Sequence, residues 1–478
     1  MNRLLTALCA MVFFLSSCTV EEPTSSKHIN KLPVIFPDYT DVTIPSNIAP
    51  LNFKLSDFEG EAIVVLMNNN DKLIEKSSSG KFVFSEKEWK ELLSHAKGKS
   101  LTVKIYVKIE NQWQDYDSFN INVAMEEIDS WIAYRLIPPG YELWSDMGIY
   151  QRNLCSFEEK AIAKNKLTDH NCMNCHSFKM QNPDEMMLHM RQAYGGTYIY
   201  KNGELSKVDG AVNDSVKSLV YPSWHPNGKY IAFSTNDIHQ VFHIGDANRI
   251  EVYDQTSDVL VYDIEKKEAI SCPLLFSKNQ FETFPTFSPD GKTLFFCSAD
   301  SVAMPENYKD VKYSLCSIAF DPVTRTFGES VDTIYNAHTE GRSAKFPRVS
   351  PDGKYLVFTI SNYGNFSIWH HDADMYLYDI AKRSVSAMSA ANSNDTESYH
   401  SWSSSSRWLA FSSRRGDGLY TRLFFTYIDK QGKCHKPFML PQKDPEFYDY
   451  FMMSYNIPEL IKGEVKTTPK EIADFAKE

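Results

Sequence analysis

The chain has 478 residues, room for two to four domains at roughly 100–200 residues each and too long for one small module. Charged residues make up 23% and hydrophobic ones 42%, the composition of a folded protein, and the acid excess of 61 − 50 = 11 argues against non-specific nucleic-acid binding, which needs a basic surface. Aromatic residues reach 13%, a β-leaning signature, and nine cysteines are too few for a disulfide scaffold of this length, so each needs its own account.

Residues 1–17 read as a secretory signal peptide, with Arg3 ahead of an apolar stretch and small residues before Cys18. The stretch is too short to span a bilayer comfortably. Leu15-Ser16-Ser17-Cys18 resembles the lipobox of bacterial lipoproteins, which implies that Cys18 carries the lipid. Residues 18–30 then form a polar tether, and the rest is expected in the cell envelope, held by lipid alone. By resemblance to lipoprotein sorting signals, Thr19 implies the outer membrane.

Residues 31–125 show short alternating runs such as Leu101-Thr102-Val103-Lys104-Ile105-Tyr106-Val107, separated by turn material such as Asn68-Asn69-Asn70-Asp71. This pattern predicts a β-sandwich, with a short helical stretch near Trp89. It carries no evident chemistry.

Residues 126–195 hold Cys172-Met173-Asn174-Cys175-His176. C-x-x-C-H is the c-type haem attachment motif: two thiols one helical turn apart add to the porphyrin vinyls, and the adjacent His lies under the iron. Cys172 and Cys175 are therefore expected to bind one covalent haem c, with His176 as proximal iron ligand. A C-x-x-C disulfide and half of a zinc site are the alternatives, the second weakened because no other C-x-x-C occurs. Asn182-Pro183-Asp184-Glu185 predicts a helix start and Gly195-Gly196 its end, and on that helix Met186, His189 and Met190 share a face. His189 or Met190 would complete the iron, His225 is a distant candidate, and an open sixth position is a further possibility. The helical segment is too short to enclose a haem unaided. The apolar stretch from Trp131 is expected to wall it together with a neighbouring domain.

Residues 196–450 repeat. Four segments align: Tyr221-Pro-Ser-Trp-His-Pro-Asn-Gly-Lys, Phe284-Pro-Thr-Phe-Ser-Pro-Asp-Gly-Lys, Phe346-Pro-Arg-Val-Ser-Pro-Asp-Gly-Lys and Tyr399-His-Ser-Trp-Ser-Ser-Ser-Ser-Arg, each leading into an apolar strand. Pro and Asp or Asn set a turn and Gly takes its positive φ. With a second strand pair following each, one repeat is one propeller blade. The motif resembles the TolB-like propeller repeat over about residues 194 to 445. The fourth copy departs from it by replacing Pro-Asp-Gly with Ser404-Ser405-Ser406. The expected ring has five or six blades, with a half-repeat at Gly196 pairing with the chain end and a tail over 451–478.

The predicted architecture is thus mainly β, a sandwich and a propeller joined by a short helical haem-bearing segment. The chain resembles exported bacterial proteins that pair a TolB-like propeller with a C-x-x-C-H site, a resemblance that implies haem and propeller but no reaction. Arg414-Arg415 and the run Lys345 to Arg348 place positive charge on propeller loops, for an anionic ligand, haem propionates or interblade contacts. Three functions follow as expectations: electron transfer with a redox partner docked on the propeller; a binding module for an envelope protein or glycan at the propeller mouth; or a haem oxidoreductase with an open sixth position. Whether the chain is an enzyme stays open at this level.

Overall fold

The computed structural model describes residues 20–69, 71–138, 146–208 and 219–478. The expected signal peptide and Cys18 lie outside them, and no described helix is long and apolar enough to cross a membrane.

The N-terminal region is two sheets on one core. Ser100–Ile109 is the centre of a seven-stranded sheet, burying Leu101, Val103, Ile105 and Val107 on one face, and a three-stranded sheet contributes Ile35, Phe53 and Phe82 to the same core. The helix Glu86–Ala96, capped by Ser85, adds Trp89, Leu92, Leu93 and Ala96 from one stripe. This core continues into the propeller at Trp408, Phe411 and Phe425. Trp408 Nε1 donates to the Glu126 carbonyl, and Asn52 donates to the carbonyls of Gln442 and Lys443.

The remainder is a six-bladed β-propeller. Six sheets of four or five strands follow one another, with inner strands Ser454–Ile461, Met173–Phe178, Val220–Trp224, Gln280–Phe287, Ser343–Val349 and Glu397–Trp402. Each inner strand contacts the next, and the last contacts the first, which closes the ring. Blade 1 is composite: the chain end supplies its inner strand, and Trp131–Ile137, Gly148–Asn153 and Glu159–Lys164 supply the other three.

Four expectations are corrected. Residues 126–195 are blade 1 and the first half of blade 2, so the propeller starts at Trp131 and the haem motif lies within it. The expected helix over 182–194 is instead the strand Glu185–Met190 followed by a short 3-10 turn. All six residues of that strand are buried, so its apolar run loses the alternation that marks a half-exposed strand and matches a helical face by chance. The Asn182 side chain, expected as a helix cap, accepts from Asp184 N–H within a turn. The 451–478 tail is likewise structural: Ser454–Ile461 closes the ring, and the helix Pro469–Lys477, started by a Thr468/Glu471 capping box, packs Ile472 and Ala476 in a cluster with Ile162. The Gly196 half-repeat pairs within blade 2 instead of with the chain end.

The divergent fourth turn is as tight as the others. Ser406 N–H donates to the Ser403 carbonyl at 2.9 Å, matching Gly228 to His225, Gly291 to Ser288 and Gly353 to Ser350. Ser406 takes φ 59°, in the left-handed region that the three glycines occupy at 70–72°.

Candidate functional site

Every inner strand carries the same irregularity. Cys175, Tyr221, Phe284, Phe346, Tyr399 and Ile457 all adopt φ of 49–53°, each at a shift of register against the second strand. Cys175-His176-Ser177-Phe178 thus occupies the repeat position of Tyr221-Pro222-Ser223-Trp224. The bulge at Cys175 belongs to the architecture. What sets blade 2 apart is the chemistry placed on it.

The bulged residues form a collar across the ring axis. Ring centroids lie 4.3 Å apart for Tyr221 and Phe284, 4.1 Å for Phe284 and Phe346, and 4.9 Å for Phe346 and Tyr399, and Cys175 and Ile457 line the same space. Beneath the collar is an axial cavity of about 50 Å³ whose wall includes Pro222, Pro285, Pro347 and Pro458. In blades 2 and 6 the proline is replaced by His176 and His400. Both are 2% exposed, and burial is the first cause that pushes each imidazole down to about 3, so both are neutral. His400 Nε2 lies 2.8 Å from the Val357 carbonyl while its Nδ1 has no partner. Neither nitrogen of His176 makes a well-formed hydrogen bond, only loose contacts with the backbone at Ala133 and Ile457. Arg348 and Glu459, paired at 3.0 Å, complete the polar wall.

Above the collar the propeller mouth opens into a cavity of about 120 Å³ that contains Cys172. Arg135, Arg191 and Arg414 line it, with Tyr221 and Trp369 among the walls and no carboxylate among the described lining residues. Cys172 and Cys175 are unpaired and buried, and burial raises both thiols above their ordinary value, so neither is a thiolate at neutral pH.

The sixth-ligand candidates read from the sequence do not reach His176. His189 and Met190 line neither cavity. His189 Nδ1 pairs with Thr197 Oγ1 at 3.2 Å, and Met190 packs in the blade core with Met173 and Tyr198. His225 bridges blades 3 and 4, with Nε2 3.0 Å from the Gly291 carbonyl and Nδ1 accepting from Asn227 N–H. His400 is the imidazole that shares the cavity of His176. Its sequence signal is the Tyr399-His400 dipeptide standing where three other repeats read aromatic-Pro. Of the basic loop residues, Arg414 reaches the mouth, Arg415 pairs with Glu397 at 3.0 Å, and Lys345 is buried among the blades. Cys297 and Cys316, candidates for a bond, are both unpaired.

No protein-family model matches the chain, and no curated protein matches it. Among solved structures, an oligogalacturonate lyase in complex with manganese aligns at 10% identity over 66% of this chain and 74% of its own, TM-score 0.36. The periplasmic gluconolactonase of Pseudomonas aeruginosa aligns at 11% identity over 68% and 99%, also TM-score 0.36, and the oligogalacturonate lyase of Vibrio parahaemolyticus at 12% over 60% and 85%, TM-score 0.33. Similarity at this level carries no argument. The propeller rests on its own ring of inner strands.

Proposed function

We propose that this chain is a lipoprotein of the outer membrane that carries one covalent haem c on blade 2 and passes electrons to a redox partner docked on the propeller. The observation that supports this most directly is His176. It is a buried imidazole at the ring axis, left without a well-formed hydrogen bond, on the same strand as the unpaired thiol of Cys175 and four residues after that of Cys172. A buried polar group with no partner is costly unless something else binds it.

The donor set fits haem c in kind: two reduced cysteines, a neutral imidazole, and three arginines as counter-charge for propionates. Room is the demand on the apo structure. Cavities of about 120 and 50 Å³ fall below the roughly 300 Å³ at the small end of ligand pockets. Cys172 lines the mouth cavity and Cys175, on its bulge, the axial one, in place of the single helical turn, about 5 Å between positions, that the motif ordinarily offers. The reading therefore requires the collar to part beside Cys175.

When bound, the haem supplies reversible one-electron chemistry. The chain's part is to keep His176 neutral and ligating, to exclude water with the aromatic collar, and to neutralise negative charge at the mouth. His400 replaces His189 and Met190 as the candidate second ligand because it shares the cavity.

Production in a host with c-type maturation machinery should give a haem band that survives denaturation and is absent in Cys172→Ala, Cys175→Ala double-substituted protein. A wild-type chain without that band overturns the reading. The reduced wild type should not bind carbon monoxide, and His400→Ala should. Cys18→Ser should move the protein from the membrane to the soluble fraction.

A further inference from the structure

The arginines at the mouth differ from Arg407, Arg415 and Arg422 in their partners. Arg407 meets Asp352 at 2.7 Å and Arg415 meets Glu397. Arg422 donates through Nη1 to the Met453 carbonyl and through Nη2 to the Phe451 carbonyl. The three mouth residues make no ion pair with any described residue. Arg135, 8% exposed, donates through one nitrogen to the Met173 carbonyl and Asn174 Oδ1 and leaves Nε unpartnered. Arg414, 4% exposed, stacks 3.6 Å from the Trp369 ring centroid, makes one long bond of 3.4 Å to the Gly418 carbonyl, and also leaves Nε unpartnered. Burial lowers its basicity to about 10, still charged at neutral pH. Arg191 is half-buried, and its guanidinium makes no hydrogen bond with a described residue.

Three guanidinium groups facing one concave space, with no carboxylate among its described lining residues and with Asp395 and Asp417 acting on Arg414 from outside the wall, set a positive potential at the mouth. The rest of the wall is mixed, with Ile238, Val252, Phe366 and Ile368 apolar and amide and hydroxyl side chains such as Gln240 and Thr421 between them. A planar arginine fork matches a carboxylate in two parallel hydrogen bonds, and apolar wall residues suit a carbon skeleton better than an inorganic oxyanion.

We infer that the mouth cavity binds a small organic polycarboxylate between Arg135, Arg191 and Arg414. The site stands on its own geometry, independent of the haem reading, although haem propionates belong to the same ligand class and would compete for it.

The test uses the full mature chain with Cys18→Ser, prepared with and without c-type maturation, and titration calorimetry with citrate, inorganic phosphate and glucose. The haem-free protein should bind one citrate saturably, more weakly as salt rises, with phosphate weaker and glucose silent. Arg191→Gln and Arg414→Gln should each weaken citrate at least tenfold. Arg191→Gln removes no hydrogen bond or ion pair with a described residue, so it tests the site even if Arg414→Gln unfolds. Absence of saturable citrate binding, phosphate binding as tight as citrate, or affinity unchanged in Arg191→Gln overturns the inference. A haem band in the matured preparation without citrate binding in the haem-free one would sink this inference and leave the haem reading standing. Citrate binding without a haem band would do the reverse.

Discussion

The mouth of the propeller and the brace between blades 3 and 5 both bury ionisable side chains, with opposite outcomes. In the brace, the long hairpin of blade 3, Tyr230–Phe242 and Ile250–Asp263, reaches across to blade 5. Glu251 Oε1 lies 3.0 Å from His370 Nε2, and Oε2 accepts from the Tyr363 hydroxyl at 2.7 Å. His370 Nδ1 is 3.2 Å from Ser361 Oγ, Lys345 donates to Ser361 and the Tyr363 carbonyl, and Asp254 accepts from Asn236 and Asn365. Ser361, His370 and Glu251 stand in the order of a hydrolytic triad. All three are at most 1% exposed and line neither the mouth nor the axial cavity, so substrate has no access. At the mouth the charges face a cavity and form no ion pair with a described residue. A buried ionisable group bonded within the fold is structure, whereas one that faces open space without an ion pair is available to a ligand.

The largest test of that distinction removes one side of the brace. Glu251→Ala leaves His370 and the Tyr363 hydroxyl buried without their acceptor and should cost about 3–5 kcal/mol by urea denaturation, as breaking a buried pair does. A loss below about 1 kcal/mol would make the brace ornamental.

Next is His400, buried neutral at the axis. Its folded pKa lies below the ordinary 6.5, so its contribution to stability is complete above 6.5 and is lost as pH falls toward about 3. In haem-free protein the loss at pH 5 should be on the order of 2 kcal/mol, and His400→Gln should flatten that acid limb in thermal melts.

Glu282 shows a third fate for a buried charge. It is fully buried with both carboxylate oxygens unpartnered, and burial, then Asp258, push it up to about 8. With no partner and no place in the wall of either cavity, it holds its proton. Its folded value is raised above 4.5, so stability is present in acid and lost as pH rises through 8. Glu282→Gln should therefore gain on the order of 1 kcal/mol or more at pH 9 and little at pH 5. An equal effect at both pH values would contradict the neutral form.

The smallest expected effect is that of Arg191→Gln on stability, under about 0.5 kcal/mol, because the half-buried side chain makes no hydrogen bond or ion pair with a described residue. A larger loss would place Arg191 with the braced charges and weaken the contrast.

Much of the fold was legible because its signals are local. Pro-Asn-Gly and Pro-Asp-Gly turns at Gly228, Gly291 and Gly353 announce hairpins, and their recurrence announces blades. Blade 2 escaped because its Cys175-His176 replaces the aromatic-Pro dipeptide and its turn lacks the Gly, so the motif read as an insert and its neighbour strand as a helix. Cys172, Cys175 and His176 were visible as a pattern, and Arg414 as loop charge. Arg135 and Arg191 carried no signal, since a lone arginine in a strand or turn looks the same whether or not it faces a cavity.

By itself, then, the sequence determined the repeat unit, its turns, and which residue types blade 2 carries, because those depend on backbone preferences within a few positions. The ring decided the rest. Closure by Ser454–Ile461 sets the blade count at six, and six bulged strands meeting on one axis bring His176 to His400, over 220 positions away, and gather Arg135, Arg191 and Arg414 from three separate blades. That convergence is a property of distance in space, which no spacing along the chain encodes.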